Sequence, residues 1–309
     1  MKRRGTNWRD ADDALLDRLI EQERDREREA HNGGIFAMKR YRMSEKHLTE
    51  RIAMAARAVR NQLPRDARVL GTEVRFEGEN AYRIETALGS VALRGVIDRV
   101  DITEGAQNEY IRIVDYKTGD KRFDVTEFAC GLELQLVIYM MAALMCYRER
   151  GVKPGGAFYF TIGSPVVDAE VPDEKRLSDM ALSGFASGDS GFAESLDSGA
   201  ARAMRIGIVL DEATGEKQVK PAENVFGEEE LNGLIAYAEK LAKKAVEGIY
   251  TGDNAISPAV RKKKSQCDRC GYRSICRFDE AYPANAGREI TEVSREQLIR
   301  REGSDSEDD

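Results

Sequence analysis

Between Gly95 and Tyr139, acidic, lysine and glutamine side chains interrupt segments that otherwise read as core, and that stretch constrains the fold more than any other. Val91 to Ile102 alternates as a strand, which puts Asp98 on the face shared by Val96 and Val100 and predicts that this face is buried. Tyr110 to Lys117 reads as a second strand. Its Ile111, Ile113, Asp115 and Lys117 share a face, so a carboxylate and an ammonium project side by side from an apolar surface. Leu132 to Tyr147 then reads as a helix, where Gln135 and Tyr139 at i and i+4 share a face.

A carboxylate taken into a core without a partner is costly; such groups pair, take up a proton or bind a metal. Two readings follow. Two aspartates on adjoining strands with one lysine suit a hard cation, Mg2+ or Mn2+, which keeps several waters and leaves room for a phosphate oxygen. Lys117 then stands ready to orient an attacking water or to offset charge on the transition state. The alternative is a structural Asp-Lys ion pair, with Asp98 bonded to Arg99 or to a turn.

Around this centre, the 309 residues, 41% of them hydrophobic, are enough to bury a sizeable core in one large or two smaller domains. The net charge of -7 argues against attraction of nucleic acid by the whole surface, so any DNA contact has to come from local basic patches. The longest apolar run, Leu134 to Tyr147, is broken by Gln135 and falls short of the roughly 20 residues that a membrane span requires. Met1-Lys-Arg-Arg leads into a charged segment, unlike a signal peptide. A cytoplasmic chain with no membrane partner is the expectation.

In chain order, residues 1–43 form a charged helical segment, with Leu15, Leu16, Leu19 and Ile20 as a narrow apolar stripe. A second unit over 44–260 opens with a helix from Ser44 that Pro64 stops, followed by a strand over Val69 to Phe76. Further strands are predicted over Gly156 to Thr161 and Ala203 to Leu210. Between them the Gly-, Ser- and Asp-rich stretch near 164–200, including Ser183 to Gly191, reads as an exposed, mobile insertion. Glu228 to Ile249 is an amphipathic helix. The succession predicts an α/β (α+β) fold, a mixed central sheet flanked by helices. Residues 261–285 hold the cysteine cluster, and 286–309 read as an acidic, disordered tail.

Cys267-x-x-Cys270-x5-Cys276 has metal-ligand spacing, but three thiolates complete neither a tetrahedral zinc site nor an Fe4S4 (4Fe-4S) cluster. Cys130 and Cys146 read as core cysteines. Arg261, Lys262, Lys263, Lys264, Arg269, Arg273 and Arg277 surround the cluster against one acid, Asp268; this reads either as a phosphate-attracting patch or as a solvated loop.

The ordered set GVIDRVD, DYKTG and LQLVIY resembles the RecB-like branch of the PD-(D/E)xK nucleases, and Cys267 to Cys276 with Tyr272 resembles the end of the nuclease domain in the B subunit of AddAB-type helicase-nucleases. The resemblance covers about residues 45 to 280. It implies the restriction-endonuclease-like core and assigns metal binding to Asp98, Asp115 and the backbone carbonyl of Tyr116. By the same resemblance Lys117 is catalytic, Gln135 and Tyr139 support the site or the DNA, and Glu73 is a candidate third carboxylate. The family's metal-binding histidine has no counterpart, since neither His31 nor His47 has its Gly-x-x-x-His setting. The fourth cysteine of the iron-sulfur staple is also missing, which leaves the cluster incomplete and predicts that the sequence corresponds to the C-terminal part of such a protein.

The implied function is that of a Mg2+- or Mn2+-dependent exodeoxyribonuclease. It acts on single-stranded DNA within a helicase-nuclease of double-strand break repair and recombination, with the A subunit as partner. The alternative is a catalytically silent iron-sulfur or zinc DNA-binding module.

Overall fold

The computed structural model describes residues 8–31, 38–64, 66–105, 107–119, 121–162, 180–211, 215–262, 264–279, 282 and 287–303. Two helices lead: α1 (Asp13–Ala30), capped by Asp12, which accepts a hydrogen bond from the Leu15 amide at 2.7 Å, and α2 (Arg42–Gln62). Leu63 is already extended, as the following Pro64 demands. Strands β1 (Arg68–Phe76), β2 (Tyr82–Thr86), β3 (Gly89–Leu93), β4 (Gly95–Glu104) and β5 (Glu109–Lys117) follow. Helices α3 (Val125–Ala129) and α4 (Gln135–Cys146) then cross to β6 (Lys153–Thr161). After β7 (Leu182–Ser187) come α5 (Ser190–Glu194), α6 (Ser198–Ala203), the short hairpin β8 (Ile208–Leu210) and β9 (Lys217–Val219), β10 (Val225–Phe226) and α7 (Glu228–Thr251). The chain ends with β11 (Ala259–Arg261), β12 (Lys264–Ser265), α8 (Arg273–Cys276), β13 (Arg288–Glu289) and α9 (Arg295–Gly303).

The central sheet has six strands in the order β1-β4-β5-β6-β7-β10. β5 and β6 run parallel, as do β7 and β10; the other neighbours are antiparallel, so the sheet is mixed as expected. Both of its faces are covered. One carries Val100, Ile111, Ile113, Ala157 and Tyr159 under α4 and α7; the other carries Tyr110, Val114, Phe158 and Phe160 under α2, α5 and α6. Helices on both sides explain why β4 and β5 bury apolar residues on both of their faces. Among the described residues no helix is long and apolar enough to cross a membrane.

Four expectations are corrected. The predicted strand over Val91 to Ile102 is two strands in different sheets: β3 pairs with β2 in a hairpin, and β4 enters the central sheet. The switch lies at Gly95, where a Cβ would come within 2.6 Å of the Phe76 ring, so the close crossing of β4 over Phe76 requires glycine. Second, Ser183 to Ser187 is no exposed insertion. It is β7, with Phe185 and Ala186 in the core, and a Cβ on Gly184 would stand 1.9 Å from the Ala157 carbonyl oxygen. Small residues that read as loop are there because two strands approach closely; residues 164–179 of the predicted insertion lie outside the described residues. Third, only Ile208 to Leu210 of the strand predicted over Ala203 to Leu210 is strand, since α6 runs through Ala203. Fourth, the predicted disordered tail contains β13 and α9, and Leu298 of α9 is fully buried in the main core; residues 304–309 lie outside the described residues.

Candidate active site

The register that pairs Arg99 of β4 with Val114 of β5 brings Asp98 beside Asp115 at the next position. Asp98 is half-buried and accepts a hydrogen bond from the Tyr116 amide at 2.7 Å. Asp115 is 2% exposed, with one oxygen 2.6 Å from Lys117 Nζ. Because β5 alternates, Asp115 and Lys117 continue the face of Ile111 and Ile113 out of the core to the end of the strand. The first residue of α4 meets them there. Gln135 Oε1 accepts from Lys117 Nζ at 2.9 Å, while its Nε2 donates to Asp115 at 3.3 Å and to the Tyr139 hydroxyl at 2.9 Å. Tyr139, one helical turn on, has its ring edge-on to Phe76 at 5.9 Å. The structure therefore brings Asp98, Asp115, Lys117, Gln135 and Tyr139 together.

Burial pushes the Asp115 carboxyl above its usual range; Lys117 pulls it back down, and the Asp98 charge adds to the rise. The folded-state value therefore lies above the unfolded one. Protonated Asp115 favours folding at low pH, and that contribution is lost as pH rises through the folded value. At neutral pH the ionised carboxylate is consequently a cost to the fold. Asp115→Asn should melt no lower than the parent in metal-free buffer at neutral pH, since Lys117, 28% exposed, keeps its bond to Gln135. A lower melting temperature for that variant would show that the Asp115–Lys117 pair stabilises the fold.

Glu73 is placed differently. The register between Thr72–Arg99 and Val74–Ile97 sets it opposite Asp98, but its side chain is exposed and its φ is 53°, a left-handed conformation that an ordinary residue adopts at a cost. Among the described residues no group of three or more His, Cys, Asp or Glu side chains is gathered as a metal site. That holds for Glu73 with the aspartates and equally for Cys267, Cys270 and Cys276, of which only Cys267 is partly covered. Cys146, expected in the core, is exposed at the end of α4, and Cys130 is half-buried. His31 and His47 are surface residues next to Glu27 and Glu50. In the basic patch, Arg261 and Lys262 are engaged by Glu292, and Arg261 also by Asp124. Lys263 and the side chains of Lys264 and Arg269 lie outside the described residues.

Two buried sets went unseen in the sequence. Behind the site, on the other face of β4 and β5, Asp101 lies 3.0 Å from Arg99 and 2.8 Å from Arg112, and Arg99 donates to the Tyr116 hydroxyl at 2.7 Å. Beside the site, Lys121 Nζ lies 2.6 Å from Glu133, a carboxylate 3% exposed. The available signal for the second set was Glu133, set like Gln135 between leucines in Leu132 to Leu136.

A model of the PD-(D/E)XK nuclease superfamily matches residues 4–277. The chain is 30% identical over its whole length to the B subunit of an ATP-dependent helicase/deoxyribonuclease from Clostridium acetobutylicum, of which it covers 28%. The corresponding protein of Caldanaerobacter subterraneus subsp. tengcongensis, also the B subunit of an ATP-dependent helicase/deoxyribonuclease, is 32% identical over 81% of the chain and 23% of that protein. The chain thus spans less than a third of the length of these relatives. With a mixed six-stranded sheet carrying Asp98, Asp115 and Lys117 at one end, and a superfamily match over nearly its full length, the chain belongs to the PD-(D/E)XK nuclease superfamily.

Proposed function

We propose that the chain is the metal-dependent DNA nuclease domain of a helicase-nuclease acting in double-strand break repair and recombination, and that it cleaves phosphodiester bonds in single-stranded DNA from an end. The observation that carries this reading is the juxtaposition of Asp98 and Asp115 on neighbouring strands, with Lys117 joined to Asp115 and Gln135. Two adjacent carboxylates, Asp115 buried and Asp98 half-buried, with the Asp98 charge raising the cost of ionising Asp115, form a donor set that fits a hard cation retaining several waters. Asp98, Asp115 and the Tyr116 carbonyl would hold it. A divalent cation held by these groups would supply Lewis-acid polarisation of a phosphate oxygen and a more acidic water.

The chain's own groups do the rest. Lys117 offers an ammonium to phosphate oxygens where charge develops, and Gln135 fixes both Lys117 and Asp115 through the two ends of one amide. Tyr139 holds that amide in turn. The relatives are named as the B subunit of an ATP-dependent helicase/deoxyribonuclease, which supports a DNA nuclease working in an assembly. The single-strand preference, the exonucleolytic mode and the A-subunit partner are proposed from the resemblance of the motifs to the RecB-like branch. Incubating the chain with linear and closed-circular single-stranded DNA, with Mn2+ or with EDTA, tests the reading. Loss of the linear substrate alone, dependent on the metal, is expected; absence of cleavage of either substrate would refute it.

The cysteine set does not fit a complete cluster. Three thiols, not gathered in the structure, leave an Fe4S4 cluster one ligand short. Metal analysis of this chain, purified without oxygen, should find iron far below the cluster's stoichiometry. Stoichiometric zinc would instead favour a zinc module.

A further inference from the structure

Lys121 and Glu133 repeat, one step along, the arrangement of Lys117 and Asp115. Each lysine is held at 2.6 Å by a buried carboxylate, and both ammonium groups lie over the ring of Tyr159, Lys117 at 5.3 Å and Lys121 at 5.9 Å from its centre. The elements explain the match. Lys121 comes from the loop that leaves β5 just after Lys117, Glu133 from the loop that enters α4 just before Gln135, and Tyr159 from β6, paired with Asp115 in register. Desolvation pushes the Glu133 carboxyl above the usual range, while Lys121 and a hydrogen bond from Tyr159 pull it back and the Glu127 charge adds to the rise. The effect of Glu133 is to fix the head of a lysine that stays 39% exposed.

That head faces open space. Lys121 forms part of the wall of a cleft of about 780 Å³ that also carries Arg122, Arg261 and Lys262 and runs toward the cysteine segment at Ser265 and Gln266. Of the three acids on this wall, Asp124 lies 2.8 Å from Arg261, Glu127 lies between Arg261 at 3.6 Å and Lys121 itself at 3.9 Å, and Asp268 stands toward the cysteine segment. The geometry points to Lys121, positioned by Glu133, as a phosphate-binding residue for the DNA strand next to the scissile phosphate, with the cleft as the path of that strand. The inference rests on the nuclease reading and adds a contact outside the catalytic group.

Binding of a fluorescein-labelled oligothymidylate, followed by anisotropy in EDTA between about 50 and 200 mM salt, tests it. Lys121→Met should bind more weakly, and its plot of log affinity against log salt should be shallower by about 0.7, the loss of one single-strand phosphate contact; Lys121→Arg should keep the parent slope. Should Lys121→Met melt early because Glu133 has lost its partner, the double variant Lys121→Met, Glu133→Gln removes both charges and gives the same readout. A parent slope in Lys121→Met, or no binding by the parent chain, would overturn the inference. A parent that binds with the expected slope but cleaves nothing with Mn2+ would refute the nuclease reading and leave the phosphate contact standing.

Discussion

Lys117→Ala should lower DNA cleavage about 100- to 1,000-fold, the loss typical when one preorganised donor is removed from a developing negative charge. Lys117 is placed for that role by two contacts, 2.6 Å to Asp115 and 2.9 Å to Gln135, and its ammonium remains partly open to substrate. The same substitution leaves the buried Asp115 carboxylate without its counter-charge, so some metal-free stability should be lost as well. The two effects separate in a melting experiment. If Lys117 is catalytic and the aspartates hold metal, Mn2+ restores the melting temperature of Lys117→Ala while cleavage stays low. A stability loss that Mn2+ leaves untouched would mark the lysine as a structural partner only.

The second large effect lies behind the site. Asp101 is fully buried between Arg99 and Arg112, themselves 3% and 0% exposed, so one carboxylate serves two guanidinium groups in the core. Burial foremost, with repulsion from Arg99, holds Arg112 below the usual guanidinium range despite Asp101. Arg112 also donates to the Gln62 carbonyl at 3.0 Å, which ties the end of α2 to the sheet. Asp101→Leu would strand both cations, and the expected loss is about 3–5 kcal/mol of folding free energy. Urea denaturation of parent and variant measures it. A change below about 1 kcal/mol would mean that the cluster is hydrated or rearranges, and that its apparent burial carries no weight.

Much of the site was legible before the structure because it obeys short periods. Ile111, Ile113, Asp115 and Lys117 share a face by the two-residue repeat of a strand, and Gln135 with Tyr139 by the turn of a helix. The Asp101–Arg112 pair was not legible, because it depends on which residues of β4 and β5 stand opposite each other, and two buried faces give no contrast from which to infer a register. The same holds for Lys121 and Glu133, which two loops bring together from twelve residues apart. β7 was hidden for another reason. Its glycine and serines read as loop, yet Gly184 is required by the approach of Ala157 across the sheet. The hairpin of β2 and β3 escaped notice because β3 runs almost directly into β4, and the two read as one alternating segment.

The central claim is that Asp98 and Asp115 hold a divalent cation, and calorimetric titration of Mn2+ into the metal-free parent, Asp98→Asn and Asp115→Asn tests it most directly. Each substitution keeps the side-chain shape and removes one negative charge from the pair, which a hard cation feels most. Saturable binding in the parent that is lost or strongly weakened in both variants is the predicted result. Binding equal to the parent in both variants, or none in the parent, would contradict the account.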